Sequence, residues 1–263
     1  MKRRQLLRHA QTAALVALGS ELGVSLCSTP SARAQAKPDL TITWLGHTCF
    51  LVSGAGRRLL LNPFLPGGCT AGYRPPRVKA DLVLVSSLLL DEGYVQNLEG
   101  DPRVLADPGD FQLASGFKIT GLRTLHDREG GRRFGTNICW KWEQGGVRFL
   151  SLGGTAAPIT VEQQILMGRP DVLFIPVGNG LKAYGPQDAK TAIETLKPKW
   201  VFPSHFRTSA AQDPCDLVPL QEFLDLMSGV LIQRATTNQI AVNAAGLPKE
   251  GPVIQVLAPP PLA

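Results

Sequence analysis

The sequence predicts a mixed α/β fold, and three observations predict it. Short β-type runs crowd the first half of the chain, continuous apolar strands sit among them, and β and α patterns alternate over the second half. Residues 41–45, 49–52 and 58–62 are three β-type runs, the first two separated by Gly46 and His47 and the third closed by Pro63. Their quick succession predicts a meander. Residues 80–86 form a continuous apolar run, the pattern of a strand covered on both faces, and 103–106 begin another after Asp101 and Pro102. Residues 117–125, 138–143 and 147–152 extend the β series, with Gly130-Gly131 and Gly145-Gly146 marking turns. The pattern then changes. A short helix is predicted over 160–167 with Thr160 as N-cap, and a longer one over 186–196 with Ala189, Ala192, Ile193 and Leu196 on one face. Strands at 172–176 and 200–203 alternate with these helices. An amphipathic helix over 217–227 and a hairpin over 229–256 complete the prediction, ahead of a loose tail at Pro259-Pro260-Pro261. No repeat or linker divides residues 37–263, which therefore read as one domain.

With 44% hydrophobic residues in a chain of 263, there is enough apolar material for a large core, and a disordered chain is excluded. The net charge of +6 suggests a nucleic-acid partner only until the charges are placed. Five of the 27 basic side chains but one of the 21 acids lie in the first 36 residues, leaving +2 for residues 37–263, so no nucleic-acid partner is expected. Beyond the N-terminus no segment offers the roughly 20 apolar residues a membrane span needs.

Residues 1–36 have the build of an export signal peptide: Lys2, Arg3, Arg4 and Arg8 form a basic region, 13–17 open a mildly apolar one, and small-x-small sites lie at 32–36. Arg3-Arg4 followed by Leu6-Leu7 resembles the twin-arginine class, whose destinations are the bacterial periplasm or the thylakoid lumen. Leu26 before Cys27 is too large for a lipoprotein site, so no stable membrane anchor is expected after cleavage. The remaining cysteines, Cys49, Cys69, Cys139 and Cys215, allow three pairings in an oxidising compartment. Cys49 and Cys139 lie in strand-like runs and read as buried thiols, whereas Cys69 and Cys215 lie in Gly- and Pro-rich loops that suit a disulfide better.

Several segments, read together, carry a resemblance. They are Trp44-Leu45-Gly46-His47, Leu60-Leu61-Asn62-Pro63, residues 80–86, Leu125-His126-Asp127, Leu152-Gly153-Gly154, Ile175-Pro176-Val177-Gly178 and Pro203-Ser204-His205-Phe206. In this order and spacing, over about 41–208, the chain resembles the metallo-β-lactamase-fold superfamily in its small-molecule, Zn-dependent hydrolase branch. The resemblance implies a four-layer αββα fold, with the 217–227 helix and 229–256 hairpin appended to its core. It also implies a metal site on one rim, held in that family by histidines and carboxylates.

Several ligand positions depart from that pattern. Ser87 and Leu89 stand where both histidines of the first metal position belong, Glu92 replaces a further histidine, Gly154 the bridging aspartate, and Asn62 the usual acid before Pro63. Only His126 remains at the first position, which is read as lost. Asp91, Glu92 and His205 remain at the second, a set competent for Mn²⁺, Fe²⁺ or weak Zn²⁺, with His47 or His126 left to orient a substrate. The resemblance also places the loops of Cys69 and Cys215 at the pocket mouth, where the two can form a disulfide. Arg128, Arg132 and Arg133 beside His126 read either as a solvated hairpin or as an attractor of anions.

Taken singly, each residue has an ordinary role. Asp91 and Glu92 can serve a turn, His126 can pair with Asp127, and His205 can hold a strand end. The set points to chemistry, and the losses point away from it, because the leucine at position 89 cannot coordinate a metal. The leading expectation is thus an exported, non-catalytic protein with most metal ligands lost, which binds a small molecule or a protein partner and holds either no metal or one divalent ion at the partial site. The alternative is a hydrolase of a small ester, lactone or phosphodiester with one divalent ion, Zn, Mn or Fe. A third reading makes Ser86 or Ser87 a metal-free nucleophile with His126 as base, although no G-x-S-x-G elbow surrounds them.

Overall fold

Strict alternation of buried and half-buried residues marks β1 (Leu40–Gly46), which points Leu40, Ile42 and Trp44 to one side. In the computed structural model, which describes residues 40–96, 98–113, 116–178 and 180–263, β1 runs antiparallel to β2 (Cys49–Gly54), and β2 antiparallel to β3 (Arg57–Leu61). The export signal expected over 1–36 lies outside the described residues. The meander is extended in parallel by β4 (Leu82–Leu84) and β5 (Arg103–Leu105), and β13 (Gln239–Val242) closes its other edge on β1. The result is a six-stranded sheet in the order β13-β1-β2-β3-β4-β5.

A second sheet of eight strands begins with the antiparallel run β6 (Gly109–Gln112), β7 (Lys118–Leu125), β8 (Thr136–Gln144) and β9 (Val147–Ser151). It continues in parallel through β10 (Val172–Pro176), β11 (Trp200–Ser204), β14 (Val253–Val256) and β12 (Leu231–Arg234). Three helices, α1 (Val161–Met167), α2 (Pro186–Leu196) and α3 (Leu220–Leu226), connect or flank these parallel strands. All five residues of β10 and of β11 are buried, as strands covered on both faces must be.

Three apolar clusters hold the layers. Between the sheets, Phe50 of the first lies tilted against Phe174 of the second at 4.4 Å, and within the second Trp142 stacks on Phe149 at 4.9 Å. Behind the eight-stranded sheet, Leu150, Leu173 and Val201 meet Ala189, Ile193 and Leu196 of α2 and Phe223 of α3. Outside the six-stranded sheet, Cys49, Leu60 and Val83 are covered by Phe64 and Tyr73, which lie on loop segments. The chain therefore has the predicted four-layer order of the mixed α/β fold. Among the described residues the layer over the six-stranded sheet is built of loops and the 3-10 turn Gly68–Thr70, without an α-helix.

The region 229–256 corrects one expectation. It is not a hairpin: β12 and β14 pair in parallel within the eight-stranded sheet, whereas β13 crosses to the six-stranded one. β12 and β13 are edge strands with mostly exposed or half-buried residues, so their local pattern does not say which sheet each joins. The helix expected over 217–227 starts only after Pro219, and β6 carries no apolar alternation that would announce it.

Candidate active site

The strand directions bring the ends of β1, β3 and β4 in one sheet, and of β7, β9, β10 and β11 in the other, to a single rim. Loops at these ends carry His47, Asn62, Asp91, Glu92, His126, Gly154, Lys182 and His205. Two bonds tie the sheets together beneath them, from Ile138 N to Ser86 O at 2.8 Å and from the Trp140 indole to Val85 O at 3.1 Å.

His47, Asn62 and His205 all adopt left-handed backbone angles, with φ of 52°, 46° and 53°. Such angles are unfavourable for side-chain-bearing residues and collect where function over-determines the backbone. Here the surroundings enforce them. His47 O accepts from the Trp44 indole at 3.0 Å and from His205 N at 3.3 Å. The His205 carbonyl packs so close to Gly178 that a Cβ there would stand 1.9 Å from it. Asn62 Oδ1 accepts from Ser86 N at 2.9 Å, joining the ends of β3 and β4 just before the turn that carries Asp91 and Glu92.

The site divides into two groups. In the first, the ligand atoms of His47, Asp91 and His205 all lie within 4.8 Å of one another, and the two imidazole rings are 4.2 Å apart. His47 Nε2 is 3.7 Å from Asp91 Oδ2, which is also paired with Lys182 Nζ. His47 Nε2 and His205 Nδ1 are buried with no hydrogen-bond partner among the described residues. In the second group, His126 Nε2 stands 2.6 Å from Glu92 Oε1, both side chains fully enclosed. Phe134 lies against His126, with ring centroids 6.4 Å apart.

Environment sets the protonation of these groups. Burial alone would raise the Asp91 carboxyl, but the neighbouring His47 and the Lys182 ammonium hold it well below the usual carboxylate range. Burial, and then the charge of His47, pushes His205 well below an ordinary imidazole, so it stands neutral with its ring nitrogens free to coordinate. For His126, burial works downward and is outweighed by the charge and hydrogen bond of Glu92, which raise it. Two imidazoles and an ionised carboxylate, converging with buried nitrogens left unpartnered among the described residues, fit a divalent ion by their donor chemistry.

This partition differs from the one expected. Glu92, grouped in the sequence reading with Asp91 and His205, turns instead to His126, and His47, expected to orient a substrate, joins Asp91 and His205. The reason lies at Gly154. A Cβ there would stand 2.3 Å from His126 Cε1 and 2.7 Å from Glu92 Oε1, so the Glu92 carboxylate occupies space that a side chain at 154 would need. Asn137 fixes that loop, accepting from Gly154 N at 2.8 Å and donating to Leu152 O at 2.9 Å. Ser87 and Leu89 line a cavity of about 390 Å³ with Ser86, Leu88, Phe134 and Ile138.

The serine arrangement is not formed. Ser86 Oγ has no hydrogen-bond partner among the described residues, and Ser87 Oγ accepts from Leu89 N at 3.3 Å rather than contacting His126. Of the arginines beside His126, Arg128 pairs with Asp188 and Arg133 lies over the Phe134 ring at 5.0 Å. Asp127 accepts four backbone N–H groups of its own loop and so does not pair with His126. Lys182 escaped the sequence reading, because a single lysine in a Gly-rich stretch carries no motif. Cys69 and Cys215 form a disulfide across 146 residues of chain, while Cys49 and Cys139 are buried free thiols.

Residues 41–205 match the family model of the Beta-lactamase superfamily domain. The chain belongs to the metallo-β-lactamase superfamily. This superfamily member is 28% identical over 200 residues to a UPF0173 metal-dependent hydrolase of Carboxydothermus hydrogenoformans, covering 64% of this chain and 85% of that protein. A UPF0173 metal-dependent hydrolase of Archaeoglobus fulgidus is likewise 28% identical over 204 residues, covering 64% and 84%. Among solved structures, a Thermotoga maritima protein named for a Zn-dependent hydrolase of the superfamily superposes with a TM-score of 0.66 at 29% identity, over 83% of this chain and 98% of that one. These relatives overturn the expectation of a non-catalytic binding protein. The lost positions Ser87, Leu89 and Gly154 had suggested it, but the chain spans most of proteins named as hydrolases and keeps a convergent ligand set.

Proposed function

We propose that this chain is a metal-dependent hydrolase of a small ester, lactone or phosphodiester, working with one divalent ion held by His47, Asp91 and His205. One observation carries the reading: these three ligand atoms converge while two of the buried imidazole nitrogens find no hydrogen-bond partner among the described residues. The names of the relatives support it. Two nitrogens and one carboxylate suit Zn²⁺ or Fe²⁺, with Mn²⁺ next. Such an ion supplies Lewis acidity toward a carbonyl or phosphoryl oxygen.

The protein's own groups supply the rest. His126 Nε2 lies 2.6 Å from Glu92 Oε1, and the Glu92 carboxylate holds His126 toward its charged form, so His126 can serve as a proton donor beside the ligand set. Phe134 borders both His126 and the cavity lined by Ser87 and Leu89, which provides room for the substrate's apolar part. Action outside the cytoplasm belongs to the same proposal, supported by the basic N-terminus and by a disulfide of the kind that persists in oxidising compartments.

Metal content measured by elemental mass spectrometry tests the reading, using the full chain purified without chelator or affinity metal. The expected result is one ion per chain, lost in Asp91→Ala and His205→Ala together with hydrolysis of ester, lactone or phosphodiester probes. A wild-type chain with no ion and no rise in melting temperature on adding Zn²⁺, Mn²⁺ or Fe²⁺ overturns it.

A further inference from the structure

Lys182 is the one cationic side chain the structure places directly on the candidate ligand set among the described residues. It enters on the loop between β10 and α2, and its ammonium pairs with the same Asp91 oxygen that faces His47. Its side chain is only 23% exposed, and its charge is felt by His126 and His205 as well as by Asp91. Ser87 and Leu89, at the positions of two lost ligands, line a cavity with Phe134 and Ile138. The site thus concentrates two buried or half-buried carboxylates, Asp91 and Glu92, and meets part of their charge with an attached ammonium.

We propose that Lys182 is a built-in second cation: its ammonium takes on Asp91 the place of a second metal ion, and so limits the centre to a single ion. The inference rests on the metal-dependent reading above. It follows from Coulomb's law in a partly desolvated site. A fixed positive charge neutralises Asp91 when no ion is bound and repels any ion that enters, so it stabilises the ion-free fold while weakening metal affinity. A lysine that merely braced the loop would have the opposite signature, because its loss would loosen the ligand set and weaken metal binding.

The test is a Zn²⁺ titration of the full chain against a chromogenic chelator, comparing wild type, Lys182→Met and Lys182→Arg, with circular dichroism to confirm folding. Wild type should take one ion. Lys182→Met should bind it at least about tenfold more tightly, the change expected when a neighbouring like charge is removed. The melting temperature of ion-free Lys182→Met should fall below that of wild type, since Asp91 then loses its counter-charge. Lys182→Arg, which keeps the charge, should retain the wild-type affinity. A Lys182→Met affinity equal to or weaker than that of a one-ion wild type overturns the Lys182 inference alone. A wild type that takes two ions also overturns it, and one that takes none overturns the hydrolase reading with it.

Discussion

Individual atoms decide the shape of the candidate site, and the clearest case is a missing one. Gly154→Ala would place a methyl group 2.3 Å from His126 Cε1 and 2.7 Å from Glu92 Oε1, both fully buried. Nothing there can yield cheaply, so the variant should lose about 1 to 3 kcal/mol of stability by denaturant unfolding. Asp127 illustrates a different constraint. Its carboxylate accepts from the backbone N–H groups of Phe134, Glu129, Gly131 and Arg133, which hold its pKa down to about 2. A carboxyl depressed in the fold contributes stability in full above its unfolded value, near 4, and loses it as pH falls through the folded one. Wild type should therefore lose more stability than Asp127→Asn between about pH 4 and pH 2, a difference that thermal melts across that range would reveal. Both features border His126; Asp127 draws its partners from the adjacent loop, whereas the space left by Gly154 comes from a distant part of the chain.

Short elements carry the loops that meet at the rim, and their ends are specified locally. α1 starts with a reciprocal capping box in which Gln163 N donates to Thr160 Oγ1 at 3.2 Å and Thr160 N to Gln163 Oε1 at 3.0 Å. Thr160→Ala should cost about 1 kcal/mol, measurable by urea unfolding, without altering metal content. α2 starts at Pro186 and buries Ala189, Ala192, Ile193 and Leu196, so its limits and inner face were both readable from spacing and a proline at the first turn. The strands were readable where continuous apolar runs announced them, as in β10 and β11. The C-terminal strands were not. Half-exposed residues in β12 and β13 fit either sheet, and only pairing with β14 and β1 separates them.

At the scale of the whole molecule, the Cys69–Cys215 disulfide joins loops 146 residues apart, so it restricts the unfolded chain severely. Replacing both cysteines by serine should remove about 3 to 5 kcal/mol of stability, seen as a lowered unfolding midpoint under non-reducing conditions. Cys49 and Cys139, buried in strands and held as neutral thiols by that burial, should resist alkylation until the fold opens. By itself the sequence determined the layered α/β architecture, because periodicity and turn residues are local signals and hydrophobic runs tell how each strand is covered. The resemblance carried by its motifs also implied which residue types reach the rim. Which of those residues act together was decided only by the tertiary structure. Asp91 and Glu92 are adjacent in the chain, yet one joins His47 and His205 while the other joins His126 in the space left by Gly154. Lys182 reaches Asp91 across 91 positions of sequence. Such contacts depend on side-chain direction and on volume left empty by distant residues, and neither quantity is written in any local stretch of the chain.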